Sequence, residues 1–239
     1  MATNSLGGSG LSTVVSKTGT GGAQKKGVKM KRVLLIGLAA LCATPALAAK
    51  DDFNRSSLGS KWVQTDPTLS ISNDQLEGTS LALGYDKKSN SDTQAEATIY
   101  LNGTDLEYGA VAVGNVAGGT NAFVKIQEEN ADDMFEYGAF YTGDNSGSEF
   151  FSLDSAVPSP AELTVTICGT QAVMKIKSSA GTQKYSYDYG TSVGSGGGLG
   201  TYGNISLDNY KSKSAKCADE LAGARIVKAS SARDLTHTR

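Results

Sequence analysis

The stretch ELTVTIC-GT-QAVMKIK, residues 162–177, decides the fold. Each half alternates apolar and polar residues, so that Leu163, Val165 and Ile167 fall on one side of the chain. Alternation with a period of two is typical of a β-strand with one buried face. The pair Gly169-Thr170 between the halves suits a two-residue hairpin turn, because glycine accepts the backbone angles that such turns require. The stretch therefore predicts two antiparallel strands of one sheet.

The same alternation recurs along most of the chain. It is clearest in residues 95–101, 108–114, 121–127, 134–141, 184–189 and 200–210. Turns rich in Gly, Asn and Asp separate these segments at the short spacing that is typical of β-sandwiches and barrels. No helical pattern of useful length interrupts residues 51–210. The sequence therefore predicts an all-β sandwich of two antiparallel sheets with roughly a dozen strands.

The two ends of the chain differ from this central region. Residues 1–28 offer almost nothing that could be buried, and we expect them to be disordered or to lie upstream of the true start of translation. Residues 29–48 begin with basic residues, continue with an apolar run at 33–41 and end with Ala-Leu-Ala at 46–48, which is the layout of a secretory signal peptide. The sandwich is expected over residues 50–212, followed by a basic tail, 213–239, that is loose apart from at most a short helix.

These segments predict a secreted or periplasmic protein. The apolar run at 33–41 is too short to span a bilayer as a helix, so no stable membrane insertion is expected after the signal has been cleaved. After cleavage Cys168 and Cys217 are the remaining cysteines. Two thiols in an oxidising compartment are more often bridged than free, so a disulfide between them is predicted. With a single histidine, His237, the chain lacks the ligands for a zinc site and a base for a serine or cysteine nucleophile.

Charge is unevenly distributed. Residues 50–210 contain 9 Lys and Arg against 21 Asp and Glu, a net charge of −12, whereas residues 211–239 contain 7 against 3, a net charge of +4. An acidic body repels phosphate backbones, so no nucleic acid partner is expected, and polyanionic glycans are disfavoured for the same reason. The alternative interpretation is that the acidity only keeps a secreted protein soluble.

Two short motifs stand at the ends of the predicted sandwich. The run DDFNRSSLGSKW, residues 51–62, and the run SLDNY, residues 206–210, resemble those of secreted bacterial domains in the concanavalin A-like lectin and glucanase superfamily, including its laminin G-like jelly rolls. The resemblance implies a jelly roll whose first and last strands pair, with Phe53 and Tyr210 at the same core edge. Trp62 is then expected in the core, because large aromatic residues mainly serve to bury area.

The resemblance also implies a function. We expect a non-catalytic, carbohydrate-binding sandwich for a neutral polysaccharide or a surface glycan. The first alternative is a divergent glycoside hydrolase of the glucanase type, and the second is an envelope-surface structural or adhesion protein. Calcium is the ion to expect, because members of the superfamily often hold one where the chain ends meet, and Asp52 and Asp208 occupy the matching positions. The alternative is that Asp208 only hydrogen-bonds a neighbouring turn.

The glucanase alternative depends on a pair of carboxylates. Catalytic members of the superfamily carry Glu-x-Asp-x-x-Glu or Glu-x-Asp-x-Glu on one strand, and the nearest approach here is ADDMFE, residues 131–136. Aligning Asp133 and Glu136 with the longer form leaves Ala131 at the nucleophile position, and the shorter form leaves Met134 at the central Asp position. Because the catalytic set is incomplete, Asp133 and Glu136 are more simply interpreted as residues of a solvated turn and strand.

Tyrosines are the candidate ligand contacts. The run YSYDY places Tyr185, Tyr187 and Tyr189, here called the tyrosine stripe, on the same side of one strand. Tyr137 and Tyr141 share a side of another strand. Aromatic rings on an exposed sheet face suit the CH faces of a sugar, while their hydroxyls suit its hydroxyl groups. The alternative is that the stripe faces inward and belongs to the core, since tyrosine is common in strands for packing reasons.

Overall fold

A computed structural model describes residues 49–65, 69–78, 82–87, 92–103, 106–114, 122–142 and 149–228. The predicted extension and signal peptide, 1–28 and 29–48, lie outside these residues. The strands are β1 Ala49–Asp51, β2 Trp62–Thr65, β3 Ser70–Ser72, β4 Gln75–Gly78, β5 Ala82–Asp86, β6 Gln94–Tyr100, β7 Tyr108–Val113, β8 Ala122–Gln127, β9 Met134–Thr142, β10 Glu149–Pro158, β11 Ala161–Cys168, β12 Gln171–Ser178, β13 Gly181–Asp188, β14 Gly197–Tyr202, β15 Ile205–Lys213 and β16 Arg225–Ile226, and the helix α1 is Cys217–Leu221.

The strands form two sheets. The nine-stranded sheet has the order β16-β13-β12-β11-β6-β15-β4-β3, with β1 also paired to β15, and the seven-stranded sheet has the order β10-β9-β8-β7-β14-β5-β2. Every described strand pair is antiparallel except β13 with β16. The predicted hairpin is present, with Cys168 opposite Gln171 and Gly169 at a φ of +70°. The all-β, two-sheet sandwich is therefore confirmed.

The core lies between the two sheets. Fully buried side chains from the nine-stranded sheet, such as Ile99 and Leu163, meet fully buried side chains from the seven-stranded sheet, such as Val124 and Phe140. The two sheets approach closely at Gly109, where an added Cβ atom would lie 2.5 Å from Ile99 Cγ2. A larger residue at this position would push the sheets apart, since protein interiors are close-packed.

The N-terminal motif anchors the sandwich through one buried carboxylate. Asp51 accepts hydrogen bonds from Phe53 N at 3.0 Å, from Trp62 Nε1 at 2.7 Å and from both terminal nitrogens of Arg55. Burial alone would raise the pKa of Asp51, but these hydrogen bonds, led by that of Arg55, outweigh it and hold the pKa below its ordinary value. The acid, the arginine and the tryptophan of the motif therefore act as one structural unit.

The same unit joins the two ends of the domain. Asp51 lies opposite Tyr210 in the pairing of β1 with β15. The Trp62 ring lies 5.9 Å from the Phe53 ring and 4.9 Å from the Tyr210 ring, measured between centroids, and all three side chains are buried. The predictions that the terminal strands pair, that Phe53 and Tyr210 share a core edge and that Trp62 lies in the core are all confirmed.

The C-terminal segment is more ordered than the sequence predicts. The short helix is present as α1, but the expectation of a loose tail is wrong for residues 222–228. There Arg225 and Ile226 pair with Tyr185 and Ser186 of β13, and Val227 N donates to Ser186 O. The disulfide between Cys168 and Cys217, with a Cα–Cα distance of 5.5 Å, attaches this segment to the end of β11. The segment adds a strand, β16, to the edge of the nine-stranded sheet, and the hydrophobic pattern alone does not predict this strand.

No helix in the described part of the chain is long and apolar enough to cross a membrane.

Candidate functional site

The outer face of the seven-stranded sheet is rich in aromatic residues. In β7, β8, β9 and β14 the residues that point into the core, such as Val111, Ile126 and Leu199, are fully buried. Side chains alternate across a strand, so their neighbours point outward. The strand registers bring these outward residues together in one surface, here called the aromatic face: Tyr85, Tyr108, Phe123, Lys125, Gln127, Tyr137, Tyr141, Phe150 and Tyr202.

Ring pairs organise this face. The Tyr108 and Tyr202 rings stack with a centroid distance of 5.0 Å and an interplanar angle of 10°, and the Phe123 and Tyr141 rings stack at 4.9 Å and 15°. Phe150 meets Tyr141 edge-on at 5.7 Å. Tyr202 and Phe150 are 43% and 42% exposed, so each pair or group presents one ring to solvent. Such rings can pack on the apolar face of a ligand without any rearrangement of the core.

Lys125 lies among these rings. Its Nζ is 4.0 Å from the centroid of Tyr108, 4.3 Å from that of Phe150 and 5.3 Å from that of Tyr141. It donates a 2.8 Å hydrogen bond to Gln127 Oε1. The residue is only 5% exposed, and burial lowers the pKa of Lys125 to about 7. Burial also raises the pKa of Tyr108 to about 12 and raises that of Tyr141.

The predicted tyrosines divide between this face and the core. Tyr137 and Tyr141 lie on the aromatic face, on the side of β9 that the sequence indicated. Tyr185 is fully buried between the sheets, and its hydroxyl accepts a hydrogen bond from Asp154 N at 2.8 Å and donates one to Gln183 Oε1. The prediction of Tyr185 as a ligand contact is therefore wrong, because no ligand can reach the side chain without opening the sandwich.

The rest of the tyrosine stripe also packs against the core. Tyr187 stacks on the buried Phe140 ring at 5.5 Å, and Tyr189 meets Tyr187 edge-on at 5.2 Å. Both are partly buried, and burial raises the pKa of both. The alternative interpretation, in which the stripe is part of the core, is the one that the structure supports. Tyr187 and Tyr189 are corrected in the same way as Tyr185, since their rings are used in packing.

The two candidate catalytic carboxylates lie at the turn between β8 and β9. Glu136 accepts hydrogen bonds from Glu129 N at 2.9 Å and from Asn130 Nδ2 at 3.0 Å, so both of its oxygens hold the turn together. Asp133 has a positive φ of 58° in the same turn, and its N–H donates to Glu128 Oε1 at 3.2 Å. These contacts give Glu136 and Asp133 a structural role.

The predicted calcium ligands lie close together but do not form a complete site. Asn209 donates to both oxygens of Asp208 through its N–H and its side-chain amide, at 2.6 and 3.0 Å. Burial raises the pKa of Asp208, and the charges of Asp52 and Asp74 raise it further. No three Asp, Glu, His or Cys side chains converge on one point in the described residues.

The surroundings of Asp52 do not suit a cation either. The open pocket of about 300 Å³ beside Asp52 is lined by four cationic side chains, Lys50, Arg55, Lys61 and Lys211, against two acidic ones. Like charges this close disfavour a bound Ca²⁺ ion. The residues present therefore do not fit the ion that the resemblance implied.

One segment contains a weak sequence signal for the part of the aromatic face that the sequence analysis did not predict. In NAFVKIQ, residues 121–127, Phe123, Lys125 and Gln127 alternate with buried Ala122, Val124 and Ile126. A lysine between two core positions is ordinary in a sheet with one solvated face. The pattern could not show that rings from three other strands, Tyr108, Tyr141 and Phe150, would surround it, because that depends on the strand order.

The strand order, the antiparallel pairing and the joined terminal strands define a two-sheet antiparallel β-sandwich. The sequence matches no protein-family model and none of the curated proteins with which it was compared. Several solved structures are similar to it. The carbohydrate-binding module CBM66 from Bacillus subtilis is 13% identical, with a TM-score of 0.46 over 66% of this chain and 98% of that one.

Two further similar structures are a lectin-like domain and an enzyme. A legume lectin-like domain from Entamoeba histolytica is 8% identical, with a TM-score of 0.46 over 65% of this chain and 91% of that one. A β-glucanase from Bacillus licheniformis is 8% identical, with a TM-score of 0.47 over 71% of this chain and 98% of that one.

Proposed function

We propose that this protein is a secreted, non-catalytic carbohydrate-binding domain whose ligand lies on the aromatic face. The observation that carries the proposal is the exposure of Tyr202 and Phe150, each of which is held in place by contacts with neighbouring rings. Two exposed rings on one rigid sheet provide a platform on which sugar rings can stack. The hydroxyls of the tyrosines and the amide of Gln127 provide hydrogen-bonding groups beside that platform.

The composition of the face favours binding over hydrolysis. Glycoside hydrolysis uses two carboxyl groups that flank the scissile bond. Among the described residues of the seven-stranded sheet, we consider the outward positions that are paired with a neighbouring strand. No Asp or Glu stands at any of these positions. Asp133 lies in the turn between β8 and β9, Glu136 lies near the start of β9, and both are engaged in the hydrogen bonds of that turn. In this proposal the ligand is held by several shallow contacts and no bond is broken.

The disulfide supports the proposed location. Disulfides form and persist in oxidising compartments and are rare in the cytosol. Cys168 and Cys217 are bonded at the base of the C-terminal segment, so the folded chain contains a bond that suits a secreted or periplasmic protein. A neutral polysaccharide or a surface glycan is the ligand that the acidic charge of residues 50–210 favours, with nucleic acid disfavoured for the same reason.

The proposal is tested by retention on a panel of insoluble and immobilised glycans. We expect wild-type protein to be retained, and Tyr202→Ala and Phe150→Ala each to weaken retention by about five- to tenfold, since one stacked ring contributes roughly 1 kcal/mol. Ile226→Ala is the matched control, because Ile226 is apolar and 73% exposed but lies on β16, in the other sheet. Equal loss in all three variants, or no retention on any glycan, would contradict the proposal.

The hydrolase and the structural alternatives have their own outcomes in the same experiment. Release of reducing sugar that is lost in Glu136→Gln would support a divergent glycoside hydrolase. Absence of both retention and release would support an envelope-surface structural or adhesion role.

A further inference from the structure

Lys125 is a buried amine that has no anionic partner among the residues that the structure describes. It is 95% buried, it forms no ion pair within the described ranges, and Gln127 Oε1 accepts a hydrogen bond from it. Lysine is almost never fully buried unless it is paired, because an isolated charge is costly to remove from water. The domain has 21 acidic residues between positions 50 and 210, yet none stands at the paired outward positions of the described strands β7, β8 and β9. An unpaired amine at this place therefore calls for an explanation.

The Lys125 amine has hydrogen-bond donors that a ligand on the aromatic face could use. An ammonium group has three N–H donors, and the hydrogen bond to Gln127 uses one of them. The Tyr108 and Phe150 rings lie within 4.3 Å of Nζ and favour a cation there through their π faces, but they are not hydrogen-bond acceptors of comparable strength. No acceptor among the described residues takes the other two donors, so they can meet acceptor oxygens of a ligand that stacks on the neighbouring rings.

We propose that the aromatic face selects sugars that bear a carboxylate, with Lys125 as the group that binds the carboxylate while the sugar ring stacks on an adjacent aromatic side chain. This inference rests on the proposed function and replaces its wholly neutral ligand with a glycan that contains uronic acid among neutral sugars. A carboxylate has two acceptor oxygens and can take both remaining donors of one ammonium group. A neutral sugar would leave the buried amine without a counter-charge.

The net charge of the domain sets a limit on the ligand. Salt screens interactions between exposed charges beyond about 8 Å at physiological ionic strength, so Lys125 decides the binding of one carboxylate while the acidic surface still repels a dense polyanion. A ligand with isolated carboxylates among neutral sugars can bind Lys125 without strong repulsion by the acidic surface. Aldouronic acids, in which one glucuronate decorates a neutral xylo-oligosaccharide, have this chemistry.

Proton binding gives the selection a pH dependence. The groups that face Lys125 are Tyr108 from β7, Gln127 from β8, Tyr141 from β9 and Phe150 from β10. Burial raises the pKa of both tyrosines, to about 12 for Tyr108, so they stay protonated below pH 10, and the other two do not titrate. The pKa of free Lys125 is about 7, and a bound carboxylate raises it. Binding of the acidic sugar is therefore strongest below pH 7 and weakens as the pH rises.

Calorimetry with aldouronic acids, oligogalacturonate and oligomannuronate, each beside its methyl ester, tests the inference in the full chain. We expect at least one acid to bind wild-type protein at pH 6 at least about tenfold tighter than its ester, and this advantage to fall to about twofold at pH 9. Lys125→Met, which keeps the volume and removes the charge, is expected to bring the ratio of acid affinity to ester affinity to about one at pH 6.

Each other outcome overturns a defined part of the account. Equal binding of acid and ester, a preference that survives in Lys125→Met, or equally tight binding of a sulfated galactan oligomer overturns the carboxylate assignment and leaves carbohydrate binding intact. If Lys125→Met fails to fold by circular dichroism, the wild-type pH series decides alone, and an acid preference that is unchanged from pH 6 to pH 9 overturns the assignment. No binding of any acid, ester or neutral glycan overturns the proposed function itself.

Discussion

The tyrosine stripe and the tyrosines of the aromatic face on β9 show the same alternation in the sequence, but the stripe packs against the core and the β9 tyrosines lie on the outer surface of the sheet. Tyr185, Tyr187 and Tyr189 alternate along β13 and the residues after it, and Tyr137 and Tyr141 alternate along β9. The first set packs on Phe140 and Phe151 between the sheets, whereas Tyr141 stacks on Phe123 outside them. Alternation shows which side chains share a face of a strand, and only the packing of the two sheets shows which face is the core. Stability is therefore expected to depend on the stripe, and ligand binding on the face.

The largest expected effect is on the free energy of unfolding, which should fall far more when a tyrosine of the stripe is removed than when one of the aromatic face is removed. Tyr185→Ala removes a fully buried ring and leaves Asp154 N without the acceptor that now lies 2.8 Å away, so we expect a loss of about 4 kcal/mol in the free energy of unfolding. Tyr202→Ala removes a ring that is 43% exposed, and we expect a loss of about 0.5 kcal/mol. Urea unfolding monitored by circular dichroism measures both, and similar losses in the two variants would contradict the division.

The disulfide is expected to have the next largest effect, again on stability alone. Replacing Cys168 and Cys217 by serine opens a bond between residues 49 positions apart, which we expect to lower the free energy of unfolding by about 3 kcal/mol. Glycan affinity should change by less than about twofold, because the bond attaches to β11 in the other sheet. Thermal unfolding and the retention assay measure the two quantities, and the double variant, unlike wild type, should not respond to a reducing agent. A large loss of affinity in the folded variant would show that the two regions are not independent.

The smallest expected effect is an increase in the free energy of unfolding, caused by a substitution on the aromatic face. Unfolded Lys125 has a pKa near 10.5 and folded Lys125 one of about 7, so wild-type protein loses stability as the pH falls from 10.5 towards 7. Methionine binds no proton, and we expect Lys125→Met to raise the free energy of unfolding by about 1–2 kcal/mol at pH 6 and by progressively less towards pH 10. Urea unfolding across this pH range provides the measurement. A variant less stable than wild type at pH 6 would show that the ring contacts outweigh the cost of burying the amine.

Most of the scaffold could be predicted from the sequence because its signals are local. The alternation in 162–177 and the Gly169-Thr170 turn specify a hairpin through neighbouring residues. The motif at 51–62 places Asp51, Arg55 and Trp62 within reach of one another, so one buried carboxylate fixes the start of the domain. The disulfide followed from the count of cysteines and the expected compartment.

The aromatic face could be predicted only in part, because it is assembled from strands that are distant in the sequence. Tyr137 and Tyr141 were indicated by alternation on β9. Lys125 is recognisable as unusual only when β7, β9 and β10 bring Tyr108, Tyr141 and Phe150 around it. The pairing of Arg225 and Ile226 with β13 was missed for a related reason, since a two-residue strand leaves no periodic signal.

Tyrosine nitration with and without a glycan, with the modified residues located by mass spectrometry, tests the division between the core and the aromatic face most directly. We expect Tyr202 to be nitrated in the free protein and protected when the glycan is bound, and Tyr185 to remain unmodified in both samples. Protection of Tyr187 or Tyr189 by the glycan while Tyr202 reacts equally in both samples would contradict the account.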